Sequence, residues 1–313
     1  MAEASRTERF SQMVSIELAP RPAGRWVAEQ LEAGHIVYFP PGWFSLDPAD
    51  RSFLLQQRQS AAAYHKNIAY RPLEDRLTGA ETSSGQDASR LRAVLRTFSQ
   101  RATEFVRQWL APYGQGLQLD FASFRPIEEQ GRPLRRRARN DLLHTDAFPT
   151  RPTFGDRILR FFLNINPERP RRWATAETFE PLLERYGAAA GLGRAARMAH
   201  SRAARMLRQT GRALGLTVPS PYDRFMLRFH HFLKENDEFQ RQTPRQHWEF
   251  PPGSSWMVYT DMVSHAVLSG QFALEQTFRV DHHAMLEPAR CPAGVLERLC
   301  GVPLTDRAPL FAR

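Results

Sequence analysis

The sequence predicts an α+β fold, and three observations predict it. Short apolar or alternating runs bounded by turn residues recur in the first half and again in the last third, as half-buried strands do. Stretches with apolar residues at helical spacing flank them. The segment from about 175 to 240 reads as almost wholly helical, so it is expected to be a helical insertion in a single domain spanning residues 1–313.

The elements follow in order. Pro22–Ala33 reads as a helix stopped by Gly34, and His35–Phe39 as a short strand running into Pro40. Asp47 before Pro48 starts a helix, with Asp as N-cap and Pro in the first turn, that carries Phe53, Leu54 and Leu55. Lys66–Tyr70 reads as a strand and Leu73–Ser89 as a polar loop. Ala88–Leu110 places Leu91, Val94, Leu95, Phe98, Phe105, Trp109 and Leu110 on one helical stripe. Leu117–Phe124 alternates like a strand. Arg132–Arg139 is a basic run, either a solvated linker or a rim that draws anions to a site. Ile158–Asn166 is strand-like and Thr175–Tyr186 helical.

Gly193–Gly215 is expected to form one amphipathic helix. Arg194, Arg197, Arg202, Arg205, Arg208 and Arg212 fall within an arc of roughly 140° at about 100° per residue. Ala196, Ala199, Ala203, Met206, Leu207, Ala213 and Leu214 fall opposite. Such a face either lies on an anionic membrane or stands in water while the apolar side packs on the protein. Asp223–Gln240 is a further helix with Phe225, Phe229, Phe232 and Leu233 on one side, and its His230, His231 and Lys234 read as structural. After a Pro251–Gly253 turn, Trp256–Thr260 and Ser264–Leu268 are strands, and Phe272–Val280 returns across Ser269–Gly270 as a hairpin.

Composition bounds the function. The chain has 313 residues, 42% apolar, enough for a packed core. No apolar run reaches the roughly 18 residues of a spanning helix, and the start lacks the apolar stretch of a signal peptide, which predicts a cytoplasmic protein. Cys291 and Cys300 read as free thiols in a reducing compartment. The net charge of +10 is carried almost wholly by Arg, whose fork matches carboxylate and phosphate oxygens, so an anionic partner is expected.

The chemistry centres on Asn140–Pro170. His144 and Asp146 are two apart, so an extended chain sends both side chains to one face. An imidazole and a carboxylate supply two of the three ligands of a facial iron(II) site, and His265, placed in a strand, supplies the third. Arg279 follows His265 by fourteen residues. His-x-Asp, a distant His and a later basic residue is the order of the iron oxygenases that use 2-oxoglutarate. If the hairpin turn has two residues, Gln276 shares the face of His265; if three, Arg279 does. Asn164 and Arg125, on neighbouring strands, are further candidates for holding the co-substrate.

The phrases FASFRPIEEQGR, RNDLLHTDAFPTRPTFGDRILRFFLNINPERPRRW, PYDRFMLRFHHFLKEN and WEFPPGSSWMVYTDMVSHAVLSGQFALEQTF make the resemblance closer. From about Trp26 to Glu287 the chain resembles the bacterial hydroxylases of 3-deoxy-D-manno-oct-2-ulosonic acid (Kdo), the inner sugar of lipopolysaccharide. The resemblance implies a double-stranded β-helix, a jelly roll wrapped by helices, with iron at its open end. It implies Fe(II), 2-oxoglutarate and O2 as cofactor and co-substrates, ligands His144, Asp146 and His265, and hydroxylation of Kdo at C3 to give Ko. It implies as partner a Kdo-bearing lipid A precursor at the inner face of the inner membrane, with the Arg194–Arg212 helix as one candidate contact. The sequence leaves the oligomeric state open, a homo-oligomer included. Two alternatives are a 2-oxoglutarate hydroxylase of another substrate and a non-enzymatic basic module binding membrane or nucleic acid. The arginine face lacks the interleaved aromatic residues that stack on bases, so no nucleic acid is expected.

Overall fold

The structure is a computed structural model that describes residues 9–61, 67–81 and 84–305. In chain order, β1 (Met13–Ser15), α1 (Gly24–Glu32), β2 (Ile36–Phe39), α2 (Pro48–Leu55), β3 (Arg58–Gln59), β4 (Ile68–Arg71), β5 (Arg76–Thr78), β6 (Ala80–Glu81) and α3 (Gly85–Trp109) precede the core. Then come β7 (Leu117–Arg125), β8 (Arg157–Asn164) and β9 (Arg171–Thr178). The helices α4 (Phe179–Tyr186), α5 (Leu192–His200), α6 (Arg202–Ala213), α7 (Pro221–Glu235) and α8 (Asp237–Gln242) follow. The chain closes with β10 (Gln246–Phe250), β11 (Ser255–Tyr259), β12 (Val263–Ser269), β13 (Ala273–Val280) and α9 (Pro292–Cys300).

Among the described residues the larger sheet has eight strands in the order β1-β2-β11-β8-β13-β7-β4-β5, and the smaller runs β10-β9-β12. An isolated antiparallel bridge, His144 to His265, adds the segment before β8 to the free edge of β12. From β7 onward the chain passes between the two sheets in the manner of a jelly roll. β7, β8, β11 and β13 lie in the large sheet, and residues 140–146, β9, β10 and β12 on the small side. Trp173 of the small sheet packs between Phe162 and Trp256 of the large one, with ring centroids 5.0 and 5.7 Å away.

Strand alternation decides what faces this interior. On β8, Phe162 points inward, whereas Phe161 points out against Phe105 of α3 and Phe44, at 5.4 and 5.0 Å. The predicted apolar stripe of α3 buries Leu91, Val94, Leu95 and Phe98 on this outer face, and Val106, outside that stripe, is buried with them. Ser84 caps the helix by accepting from Asp87 N, so it starts at Gly85, three residues before its first predicted residue.

Several expectations are corrected. The stretch predicted as a loop at Leu73–Ser89 contains β5, β6 and the start of α3. Of the strand predicted at Lys66–Tyr70, Lys66 lies outside the described residues. Thr175–Thr178 is strand rather than helix, held between β10 and β12, so the helical segment begins at Phe179. β12 and β13 do not form a hairpin: β12 pairs with β9, and β13 with β7 and β8. The turn at Ser269–Gly270 therefore passes from one sheet to the other.

The predicted long arginine helix is broken at Ser201, whose extended backbone ends α5 and whose Oγ accepts from Ala204 N to cap α6. The two halves present different faces. Arg208 is buried, whereas Met206 and Leu207 are 65% and 75% exposed and Leu214 and Leu216 stand out beside them. Arg194, Arg197, Arg202 and Arg205 are exposed, and the side chain of Arg212 lies outside the described set.

Candidate metal centre

The backbone builds the site before the side chains do. His144 N donates to His265 O at 3.1 Å and His265 N to His144 O at 2.9 Å. Val267 N donates to Asn140 O, and Asp146 N to Thr260 O. The hydrogen-bonded pair sets the two histidines directly opposite each other, as antiparallel pairing requires, and their rings lie 4.6 Å apart. Asp146, two residues on, shares their face, with Oδ1 3.5 Å from His144 Nε2. Two donor atoms at about 2.1 Å from one ion lie ~3 Å apart when cis, so little adjustment is needed.

Hydrogen bonds settle which nitrogens are free. His144 Nδ1 donates to Leu142 O at 2.7 Å and His265 Nδ1 to Val263 O at 2.9 Å, which leaves both Nε2 atoms as lone-pair donors. Burial pushes His265 down to about 3 and also lowers His144, so both rings are neutral. Burial works to raise Asp146, but Arg160, with a nitrogen 2.8 Å away, and the two imidazoles more than offset it, holding its carboxyl well below the usual range. Two neutral imidazoles and a carboxylate on one face fit iron(II).

A third imidazole stands here that sequence reasoning set aside. His230, on α7, holds its ring 4.9 Å from that of His144, edge to face, with Nδ1 donating to Thr145 O at 2.7 Å. Donor atoms of His144, Asp146 and His230 all lie within 4.8 Å of one another. A helical register pointing at a segment 85 residues upstream leaves no local pattern, so no sequence signal marked it.

The three groups open on a cavity of about 530 Å³ inside the jelly roll. Arg125, Arg160 and Glu275 line it from the large sheet, Arg171, Trp173 and His265 from the small one. Glu275 is buried and clasped by both Arg125 and Arg160. Arg171 is 1% exposed, and burial pushes its guanidinium down to about 10. Its Nη1 donates to Gly270 O, but among the described residues Nε and Nη2 have no hydrogen-bond partner, and neither has Trp173 Nε1. Trp173 stacks on His265 with centroids 5.3 Å apart. Arg171 and Trp173 alternate on β9 and so share its inner face. Unpaired buried donors beside a metal-type donor set are what an anion such as 2-oxoglutarate would satisfy.

The other predicted residues divide. Arg125 lines the cavity. Gln276 has the opposite parity on β13 from Glu275 and Thr277, and its amide donates to Asp120 O and Thr277 O outside the cavity. Asn164 is spent on Phe250 O, Arg169 O and Asn166 N at the end of β8. Arg279 shares the parity of Glu275, but its guanidinium turns to Gln118 and Asp156. Because β12 and β13 pair with different strands, no hairpin turn sets the faces of Gln276 and Arg279 relative to His265. Of the basic run, Arg136, Arg137 and Arg139 are paired with Asp237, Glu235 and Asp141, and Arg137 borders the cavity. Among the described side chains of α5 and α6, Arg194, Arg197, Arg202, Arg205 and Arg208 do not line it.

The profile of the 3-deoxy-D-manno-oct-2-ulosonic acid (Kdo) hydroxylase family matches residues 15–303. The apo structure of the Kdo hydroxylase KdoO, a non-heme Fe(II) α-ketoglutarate-dependent dioxygenase, is 31% identical, with TM-score 0.79, covering 94% of this chain and 97% of its own. Its complex with α-ketoglutarate and Fe(III) is also 31% identical, with TM-score 0.78 over the same shares. Its cobalt(II) complex is 32% identical, with TM-score 0.80, covering 95% and 98%. A search of curated proteins returned no match. With a profile match along most of its length and solved relatives 31% identical over 94% of the chain, the chain belongs to the Kdo hydroxylase family.

Proposed function

We propose that the protein is an Fe(II)- and 2-oxoglutarate-dependent dioxygenase that hydroxylates Kdo of a Kdo-bearing lipid A precursor at C3, giving Ko, succinate and carbon dioxide. The carrying observation is the backbone pairing of His144 with His265, which brings two neutral imidazoles and Asp146 together beside the unpaired donors of Arg171 and Trp173. When bound, iron(II) with 2-oxoglutarate and dioxygen supplies the oxidant that replaces a C–H bond by C–OH.

This chain's residues do the rest. His144, Asp146 and His265 hold the metal through Nε2, a carboxylate oxygen and Nε2. Arg160 fixes the other oxygen of Asp146 at 2.8 Å, so the carboxylate keeps its orientation. Arg171, with Trp173 beside it, binds a carboxylate of the co-substrate, and Arg125, tied to Glu275, keeps the charge of that wall balanced. The enclosing sheets exclude bulk water from the reacting bond.

Among the described residues no helix is long and apolar enough to cross a membrane. We place the protein in the cytoplasm as a peripheral protein, resting on the anionic inner leaflet through the exposed apolar side chains Met206, Leu207, Leu214 and Leu216 with arginines around them. This differs from the sequence expectation, in which the arginine face alone made the contact.

The test is an anaerobic Fe(II) and 2-oxoglutarate titration that follows the weak visible charge-transfer band of the chelate. Wild type is expected to show the band and His265→Ala to lose it. Mass spectrometry of Kdo-lipid A after aerobic incubation is expected to show a gain of one oxygen. A folded wild type with neither band nor product overturns the proposal.

A further inference from the structure

Helix α7 borders two cavities. His230 faces the metal centre, and one residue on, His231 borders both that cavity and a second groove of about 680 Å³. Arg137 is the other residue shared by the two, so the groove continues the site outward. Along α7 the groove is lined by Arg224, Leu227, Arg228 and His231, the spacing of one helical stripe, about 10 Å long at 1.5 Å per residue. Arg194 of α5 stands in the facing wall.

The charges are one-sided. The acid in the lining, Glu235, is held by the fork of Arg137, at 2.7 and 3.2 Å. Arg194, Arg224 and Arg228 are exposed and carry no ion pair among the described residues. Elsewhere the arginines of this chain are widely matched to acids: those at 125, 136, 137, 139, 157, 160, 172 and 185 all have one. Three uncommitted forks converging on one concave surface suit a phosphate monoester, whose oxygens accept paired N–H bonds. Met198 and Phe232 line the same groove and suit the apolar parts of a sugar ring.

We infer that this groove binds a phosphate monoester of the glycolipid acceptor while the sugar to be hydroxylated reaches the metal. The inference rests on the hydroxylase reading for the identity of the acceptor. It makes Arg194, Arg224 and Arg228 specificity-determining residues that favour a phosphorylated acceptor over a free sugar.

The test is equilibrium binding of the Co(II)- and 2-oxoglutarate-loaded protein, which does not turn over, to phosphatidylcholine vesicles carrying Kdo-lipid A, intact or phosphatase-treated. Wild type is expected to bind the intact lipid at least about tenfold more tightly. Arg194→Ala/Arg224→Ala/Arg228→Ala is expected to abolish that ratio while 2-oxoglutarate binding and melting temperature stay as in wild type, because the residues are exposed. Vesicles with phosphatidylglycerol in place of Kdo-lipid A separate bulk anionic lipid from the acceptor, and inorganic phosphate in competition separates the free ion. The inference is overturned if the variant keeps the ratio, weakens both lipids equally, or loses phosphatidylglycerol binding to the same extent. A wild type that keeps the ratio but adds no oxygen to Kdo retains the groove and refutes the hydroxylase reading alone.

Discussion

Replacing Arg171 by Met keeps most of the side-chain volume and removes the charge. Arg171 is buried, with two nitrogens lacking hydrogen-bond partners at the wall beside His265. A hydrogen bond to a charged group contributes roughly 1.5–3 kcal/mol, so two to a carboxylate are worth ~3–6 kcal/mol. Taking the lower end, because Arg125 remains on the same wall, the loss is about 3 kcal/mol, or ~100-fold in Kd for 2-oxoglutarate. The free protein fares differently. Losing the bond to Gly270 O costs about 1 kcal/mol, but a desolvated guanidinium is also removed. Glu129, 3.8 Å from Arg171, keeps Asn140, Arg125 and Arg132 as neighbours. The metal-free melting temperature is therefore expected to stay within about 4 °C of wild type. The assay is calorimetric titration with Co(II) and then with 2-oxoglutarate. Co(II) affinity should be unchanged. A 2-oxoglutarate Kd within about threefold of wild type refutes the reasoning, and loss of Co(II) binding along with it would mean that the substitution had disturbed the strand of His265 instead.

Further expectations follow from the same structure. His230→Ala should keep the charge-transfer band that His265→Ala loses, because His265 is locked to His144 by paired backbone hydrogen bonds whereas His230 reaches in from a helix; equal loss in both variants would make His230 a ligand of the same standing. Stability of the metal-free protein should fall as pH drops from 7 toward 4.5. A histidine lowered from 6.5 to about 3 binds its proton only on unfolding, so its contribution is present above the unfolded pKa and is lost through this window, up to ~2–3 kcal/mol by pH 4.5. Urea denaturation of wild type and His265→Gln checks this, and an identical pH slope in the two excludes His265 as the cause. Asp261→Ala should destabilise the fold by about 3–5 kcal/mol, because it strands the fully buried guanidinium of Arg157, now held at 2.8 Å; a change below about 1 kcal/mol in urea melts would contradict this. Leu207→Glu should reduce binding to anionic vesicles several-fold without altering the melting temperature, and unchanged binding would remove α6 from the membrane contact.

Much of the fold was legible because local signals and burial agree. Asp47 caps α2 as read, accepting from Ala49 N, and the stripe of α3 is the face that packs on the large sheet. The spacing of His144 and Asp146 and the strand around His265 were enough to pick out three groups that lie on one wall of the cavity, whereas His230, whose donor atom clusters with those of His144 and Asp146 within 4.8 Å, left no such signal. What failed depended on which strand pairs with which. Period-two patterns look alike whether a strand turns back on its neighbour or crosses to the other sheet, so the partners of Gln276 and Arg279 could not be read from parity within an assumed hairpin. Arg160 looked like an ordinary strand residue, and Arg171 and Trp173 lay in a stretch read as no element, because only the crossing of the sheets gives the three a common interior. The break at Ser201 was hidden because a serine inside an amphipathic run does not by itself end a helix, and beyond it Met206 and Leu207 stand in solvent beside Arg202 and Arg205 while Arg208 is buried.

The bridge between His144 and His265 also bears on how such a protein can change over generations. The distance between these two groups is fixed by sheet pairing and is indifferent to the length of chain that separates them. Helices α4–α6 can thus gain, lose or exchange turns without altering the inner pair. Helices α7 and α8 lack that freedom, because His230 bonds Thr145 O and Gln240 bonds both backbone groups of Leu143, on either side of His144. Diversification of the acceptor is accordingly open to lineages through α5, while the strands that hold His144 and His265 admit almost no insertion, since a shift of one residue would turn a ring out of the interior.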